Sequence, residues 1–183
     1  MDQPVELIPL VCPQCNTPIP AEVDEVAWVC TQCGQGFSLD EAKGLVPLDV
    51  RYAAGIPANT RGKPFWVAEG RVKIQRDTYS SSDKDTKAAL QFWGQPRQFF
   101  IPAFSAPLET LLGLGMQLLN RPPNLQTGPA ADFEPVILYL EDVQAAAEFI
   151  VVAVEAGRKD KLKQVEFTLQ LSEPVLWILP PLE

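Results

Sequence analysis

Two C-x-x-C pairs constrain the fold of this chain more than any other feature of its sequence. Cys12 and Cys15 form the first pair, Cys30 and Cys33 form the second, and the 183 residues contain no other cysteine. Fourteen residues separate the two pairs. Because each C-x-x-C turn directs two sulfurs towards one point, two turns at this separation are typical of a tetrahedral zinc site. The spacing therefore predicts one structural Zn²⁺ held by all four cysteines, with no coordination position left open for catalysis.

The residues beside the cysteines favour the same geometry. Each turn needs a residue that tolerates a left-handed backbone directly after its second cysteine, and Asn16 and Gly34 are of the types that do so best. The valine-rich stretch 23–29 predicts a β-strand before the second pair, and residues 45–50 predict another strand after it. We therefore expect a small N-terminal β-type unit built around the metal.

The stretches CPQCN and CTQCG resemble the knuckles of the zinc-ribbon (rubredoxin-knuckle) fold group, which usually have the patterns C-P-x-C-G and C-x-x-C-G. The resemblance covers residues 8–50, and its one departure is Asn16, where glycine is usual. It implies a zinc ribbon, and it implies no particular function, because ribbons occur in polymerases, ribosomes and enzymes alike.

Other uses of the cysteines are weighed against zinc. The acidic, proline-containing start MDQPVELIPL lacks the features of a secretory signal, so we expect a cytoplasmic protein, in which thiols stay reduced and disulfides are disfavoured. A thioredoxin-like redox pair at Cys12 and Cys15 would lack its usual βαβ context. Rubredoxin-type iron uses similar knuckles and remains an alternative to zinc. No apolar run approaches the roughly 20 residues that cross a bilayer, so no membrane association is expected.

The charge distribution predicts a domain boundary near residue 50. Residues 1–50 contain eight acidic side chains and one basic side chain, whereas the remaining residues contain 15 acidic and 14 basic ones. Residues 51–63 are punctuated by glycine, proline and asparagine, which are typical of a linker. We therefore predict a zinc ribbon over residues 1–50, a linker over 51–63 and a second domain over 64–183.

The pattern of the second domain predicts an α+β fold with a mostly antiparallel or mixed sheet and two helices. Strands are expected at 66–75, 97–104, 136–140, 165–171 and 175–179, and the polar stretch 80–87 is expected to be a hairpin loop. Helices are expected after N-cap residues Ser105 and Asp142, with a strand at 149–154 as the competing interpretation. The predicted core is aromatic: Phe65, Trp66, Phe92, Trp93, Phe99, Phe100, Phe104, Phe133, Tyr139, Phe149, Phe167 and Trp177.

No catalytic residue is predicted from the sequence. The chain has no histidine, which removes the commonest general base, and it has no glycine-rich phosphate loop. The carboxylate pair Glu141 and Asp142 is explained by the start of a helix, where acidic groups are favoured. An enzyme with the ribbon as an accessory unit remains an open alternative, because a fold does not exclude an activity.

The charged residues also indicate which type of macromolecule the chain could bind. A ribbon this acidic should repel nucleic acid, whose binding relies on basic residues, and it should favour a basic protein surface. Basic residues near aromatic ones in the second domain offer an alternative, the binding of an anion or of single-stranded nucleic acid. The candidate contacts are Arg71, Lys73, Arg76 and Arg97. The leading prediction is a non-catalytic zinc protein that serves as a structural or protein-interaction module, with a protein partner that the sequence does not identify.

Overall fold

The structure is a computed structural model that describes residues 9–40, 42–79, 83–159 and 162–181. Residues 1–8 of the predicted ribbon and residues 182–183 of the predicted second domain lie outside these ranges. Within the described ranges, the chain forms a three-stranded sheet, a five-stranded sheet and three α-helices. The fold is therefore α+β, as the sequence predicts, although with three helices instead of two.

The first sheet contains both cysteine pairs, and we call residues 9–48 the N-terminal sheet. Its antiparallel strands are β1 (Ala27–Val29), β2 (Gly36–Asp40) and β3 (Gly44–Leu48). Trp28 lies opposite Phe37 across β1 and β2, and both side chains are buried. A small core of its own forms from Cys12, Ile19, Trp28, Cys30 and Phe37.

The second sheet, which we call the main sheet, is mixed. Its strands are β4 (Val50–Tyr52), β5 (Lys63–Thr78), β6 (Arg97–Pro102), β7 (Leu162–Leu171) and β8 (Val175–Leu179). The long strand β5 is central: β6 pairs along one edge, and β8 and then β7 pair along the other. These pairs are antiparallel, whereas β4 pairs with β8 in parallel.

Both faces of β5 are buried near its start. Trp66 and Val72 pack into the larger core cluster, and Phe65 and Val67 pack into a second cluster with Phe104. Because successive side chains of a strand point to opposite faces, this pattern requires cover on both sides of the sheet. The sequence predicted burial of one face only, which holds only for the later part of the strand.

The helices are α1 (Asp83–Trp93), α2 (Leu108–Asn120) and α3 (Val143–Ala156). The predicted hairpin loop over 80–87 is wrong from residue 83 onwards, because α1 begins there and packs against β5 through buried Ala89 and Trp93. The predicted helices α2 and α3 are both present, and α3 excludes the competing strand at 149–154.

Neither predicted N-cap forms the expected hydrogen bond. Helix α2 begins after Pro107 rather than after Ser105, and no side chain caps it. Asp142 does precede α3, but its side chain makes no cap hydrogen bond. Pro107 has a φ of −56° and a ψ of 140°, so it stands just outside the helix, and its side chain has no acceptor to offer the first turn.

Two further sequence expectations for this region are wrong. The predicted strand at 136–140 is a single bridge at Val136 followed by a 3₁₀ turn at Leu140–Asp142. One reason is that the Trp66 indole N–H donates to the Leu138 carbonyl at 2.9 Å, which uses a backbone acceptor that a strand partner would need. Phe149, predicted to be in the core, is 65% exposed on α3.

The N-terminal sheet packs directly on the rest of the chain. The Val26 N–H donates to the Val136 carbonyl at 2.8 Å, and Ala27 forms a bridge with Val136. All three residues are buried in the same cluster as Trp66. Strand β4 continues this attachment, because it lies at the start of the segment 51–63 that the sequence predicts to be a linker and it pairs with β8.

Candidate metal centre

The four cysteine sulfurs lie together at one end of the N-terminal sheet. All lie within 4.8 Å of one another, and the closest contacts are 3.6 Å between Cys12 and Cys33 and 3.5 Å between Cys15 and Cys30. A covalent disulfide would require about 2.05 Å. Four sulfurs bound tetrahedrally to zinc, each at about 2.3 Å, would lie about 3.8 Å apart. The cluster therefore has the size of a four-sulfur metal site, and all four thiols are free.

Two equivalent turns create this arrangement. In the first, the Asn16 N–H donates to the Cys12 carbonyl at 2.9 Å, and in the second the Gly34 N–H donates to the Cys30 carbonyl at 2.8 Å. Asn16 has a φ of 56° and Gly34 a φ of 75°. Both positions are left-handed, as the sequence analysis expects. The departure from glycine at position 16 is tolerated because asparagine adopts this region more readily than most residues.

The elements around the cluster hold the sulfurs at different depths. The second cysteine pair lies in the connection between β1 and β2, and the first is closed by a bridge between Val11 and Pro18. Cys12 and Cys30 are buried, whereas Cys33 is exposed. One rim of the site therefore faces solvent while the other rests on the small core of the N-terminal sheet.

The local environment shifts the pKa values of Cys15 and Cys33 in opposite directions. Hydrogen bonds from the Thr17 side chain and backbone lower the pKa of Cys15 to about 6. The Gln35 N–H lowers the pKa of Cys33, but partial desolvation and the neighbouring cysteine side chains together raise it to about 12. Sulfurs this close cannot all carry negative charge unless a cation lies among them. A divalent, thiophilic ion satisfies this requirement, so the donor set fits the predicted metal.

The predicted anion or nucleic-acid contacts do not share one surface. Arg71 and Lys73 are exposed on one face of β5. Arg76 faces the other side, where it is buried and forms an ion pair with Glu155 at 2.5 Å. Arg97 is also on that side, with its guanidinium 3.9 Å from the centre of the Phe92 ring and its Nε donating to the Phe92 carbonyl.

The aromatic residues near these basic groups are also unsuited to stacking on bases. Phe65, Trp66, Trp93, Phe99 and Phe100 are each at most 3% exposed. They form the core of the molecule, as burial preferences predict. The basic side chains that remain exposed therefore have none of these rings beside them on the surface.

Glu155 is a buried charged residue that the sequence analysis missed. Its carboxylate is fully buried and accepts hydrogen bonds from Arg76 at 2.5 Å, Arg158 at 2.6 Å and the Trp93 indole at 2.7 Å. The sequence places Glu155 at the end of a helix with no local sign of burial. The arrangement ties α3 to α1 and β5, and we assign it a structural role.

Comparisons of the chain with protein-family models, with curated proteins and with solved structures give no match. None of the helices in the described part of the chain is long and apolar enough to cross a membrane.

Proposed function

We propose that this chain is a zinc-binding, non-catalytic protein-interaction module. In this proposal, Cys12, Cys15, Cys30 and Cys33 hold one structural Zn²⁺ in a zinc ribbon, and the metal fixes the ribbon against the α+β domain. The observation that carries the proposal is the closed cluster of four sulfurs, all within 4.8 Å of one another. Four protein ligands complete a tetrahedral zinc and leave no site for a reactive water.

Zinc is favoured over the alternatives by the chemistry of the cluster. Thiolates select thiophilic ions, and a tetrahedral four-sulfur set accommodates zinc or iron. The proposal includes a reducing compartment such as the cytoplasm, in which these thiols would not oxidise to disulfides. The proposed boundaries remain those of the sequence analysis, with the ribbon over 1–50, a linking segment over 51–63 and the second domain over 64–183.

The interaction role is supported by charge. Residues 1–50 carry eight acidic side chains and one basic side chain, and this imbalance suits contact with a basic protein surface better than contact with nucleic acid. The ribbon is also hydrogen-bonded to the second domain through Val26 and Val136. A rigidly attached acidic unit can present a defined surface to a partner.

Metal analysis of the untagged protein tests the metal part of the proposal. We expect one zinc per chain, loss of that zinc in Cys30→Ser, and full retention in Gln32→Ser, which changes an exposed non-ligand in the same turn. Iron in place of zinc would correct the identity of the metal. A metal-free protein with two disulfides would overturn the proposal.

The interaction part needs a separate experiment. The protein is cross-linked in cells of its native host and purified under native conditions at low and at high salt. We expect a protein partner with a basic surface, whose recovery falls as salt screens the acidic ribbon. A bound small molecule with no partner would instead favour the enzyme alternative.

A further inference from the structure

A cleft lies where the N-terminal sheet meets the rest of the chain. It is open to solvent, has a volume of about 910 Å³, and is lined in part by Glu25 and Trp28 from the N-terminal sheet and by Tyr52, Asp132 and Phe133 from the opposite side. This volume falls within the range of known ligand pockets, and such pockets are common at boundaries between structural units. We refer to it as the cleft.

Trp28 supplies the first sign that the cleft has an occupant. The residue is only 4% exposed, yet its indole N–H has no hydrogen-bond acceptor among the described residues. Buried donors are nearly always satisfied in native proteins. The indole favours the charged form of the Glu25 carboxylate, so the two groups are near each other, but their geometry is not that of a formed hydrogen bond. A ligand carbonyl in the cleft would satisfy this donor.

The charges of the cleft specify the sign of the occupant. Arg61 is already engaged, by Glu22 at 3.3 Å and by the Phe133 carbonyl at 2.9 Å. Glu25 accepts the Glu22 N–H at 3.0 Å and feels the charge of Arg61, but neither Glu25 nor Asp132 forms an ion pair among the described residues. The cleft therefore has two carboxylates that no salt bridge neutralises. Burial raises the pKa of Glu25, and burial together with the Asp132 charge raises the pKa of Tyr52. A cation in the cleft would relieve both effects.

The aromatic wall specifies the shape of the occupant. Tyr52 and Phe133 pack edge to face, with ring centres 6.3 Å apart. Rings of this kind attract cations to their faces and also pack against the aliphatic parts of lysine and arginine side chains. The combination of acceptors for a positive head, rings for an apolar stem and a donor for a carbonyl matches a basic amino acid within a peptide.

We propose that the cleft binds an extended segment of a protein partner through a lysine or arginine side chain. The positive head group lies between Asp132 and Glu25, the stem packs against Tyr52 and Phe133, and a backbone carbonyl of the segment accepts the Trp28 indole N–H. This inference rests on the proposed interaction function and names the site and the chemistry of the partner.

The test is an NMR titration of the ¹⁵N-labelled, zinc-loaded protein with two defined peptides. The probe is acetyl-Ala-Ala-Arg-Ala-Ala-amide, and its counterpart carries glutamate in place of arginine. The chain has four tryptophans, so the Trp28 indole resonance can be assigned by its loss in Trp28→Phe. We expect the arginine peptide to shift this resonance and the Tyr52 and Phe133 amides saturably, and the glutamate peptide to leave them unchanged.

Two charge variants make the result specific. Asp132→Asn should weaken binding of the arginine peptide several-fold, whereas Glu141→Gln, which removes the same charge outside the cleft, should leave it unchanged. The inference is overturned if the Trp28 indole does not move at about 10 mM peptide, a concentration that reveals even weak binding. Equal shifts with both peptides, or equal binding by wild type and Asp132→Asn, would also overturn it.

The two proposals fail in different ways. If the protein is folded and zinc-loaded but its Trp28 indole resonance does not shift with the peptide, only the proposed binding in the cleft is contradicted. Absence of metal from the purified protein contradicts the proposed function, whatever the titration gives.

Discussion

Val26 donates its backbone N–H to the carbonyl oxygen of Val136 at 2.8 Å, and this bond joins the N-terminal sheet to the α+β core. Val136 is fully buried, and Val26 is 4% exposed. Both residues belong to the cluster that contains Trp66. The N-terminal sheet therefore contributes residues to the main core. Its unfolding should destabilise the part of the chain that follows residue 48.

The first prediction follows from this contact. Removal of the metal, by a chelator or by Cys30→Ser, should unfold the N-terminal sheet first, because metal binding and folding are coupled in such sites. It should also lower the Tm of the remaining domain by at least about 5 °C, since buried Val26 and Ala27 would leave the core. Thermal unfolding gives the Tm, and hydrogen exchange at the Val26 amide reports the local opening.

Gln32→Ser provides the matched control for this prediction, because it alters the same turn without touching a ligand. Its Tm should equal that of the wild type. Coupling of the two units is refuted if Cys30→Ser exposes the N-terminal sheet to exchange while the Tm of the domain stays unchanged.

The sequence predicts the four-cysteine cluster well because its determinants are local. Two C-x-x-C turns and the left-handed residues that follow them, Asn16 and Gly34, lie within a few positions of each other. The turn geometry therefore needs no knowledge of the rest of the fold. The sequence also predicts the strands β5 to β8 from local pattern, because their apolar residues alternate or form short buried runs.

The features that the sequence does not predict depend on contacts between distant segments. Residues 136–140 have the composition of a strand, but Trp66 takes a carbonyl from this segment and Val136 pairs with the N-terminal sheet instead. Helix α1 begins with the polar run 83–87, which is also typical of a loop, and Ala89 and Trp93 are the buried residues among its side chains that the structure describes. The cleft forms where the N-terminal sheet packs on the rest of the chain, so no local sequence pattern predicts it.

A second prediction concerns the left-handed backbone at Gly34. Its φ of 75° disfavours any residue with a Cβ, whereas no neighbouring atom lies within 4 Å of the space that a Cβ would occupy. Gly34→Ala should therefore cost about 1–2 kcal/mol of unfolding free energy through backbone strain alone. Asn16→Gly makes the reverse change at the equivalent position and should cause no such loss. Urea unfolding of the zinc-loaded proteins measures both, and a larger loss in Asn16→Gly than in Gly34→Ala would contradict this explanation.

The third prediction concerns the buried carboxylate of Glu155. Glu155→Gln removes the negative charge that accepts hydrogen bonds from Arg76, Arg158 and the Trp93 indole. Breaking a buried ion pair by removal of one partner typically costs about 3–5 kcal/mol, and we expect a loss of this size in urea unfolding. Glu166→Gln, an exposed change on β7, should stay within about 0.5 kcal/mol of the wild type. Equal stability of the two variants would show that the cluster contributes nothing.

The fourth prediction concerns the pH dependence at Glu25. Burial raises the pKa of this carboxyl above its usual value of 4.5, so folding favours its protonated form. Its contribution to stability is complete below pH 4.5 and is lost as the pH rises through the raised pKa. At neutral pH, Glu25→Gln should therefore be more stable than the wild type, by less than about 1 kcal/mol because the group is half-exposed.

This advantage of Glu25→Gln should shrink as the pH falls from about 7.5 to about 5, and comparison with the wild type at each pH cancels the common effect of zinc release. Thermal unfolding across this range checks the sign. A variant that is less stable at pH 7, or whose advantage grows in acid, would show that the carboxylate is stabilising. The same substitution should weaken binding of the arginine peptide. The Glu25 carboxylate would then lower the stability of the protein while strengthening peptide binding.

The last prediction concerns the alternative of single-stranded nucleic-acid binding. Arg71 and Lys73 are exposed on β5, but Arg76 and Arg97 lie on the other face and the nearby rings are buried. Without stacking, two basic groups supply only a small electrostatic attraction. We therefore expect labelled single-stranded RNA and DNA to bind with a Kd weaker than about 100 µM at physiological salt.

Micromolar binding that falls with salt and disappears in Arg71→Ala/Lys73→Ala, but persists in Lys87→Ala/Arg121→Ala, would establish the nucleic-acid alternative instead. The second double variant removes the same charge from exposed helical and loop positions, so it separates a local contact on β5 from a general effect of net charge.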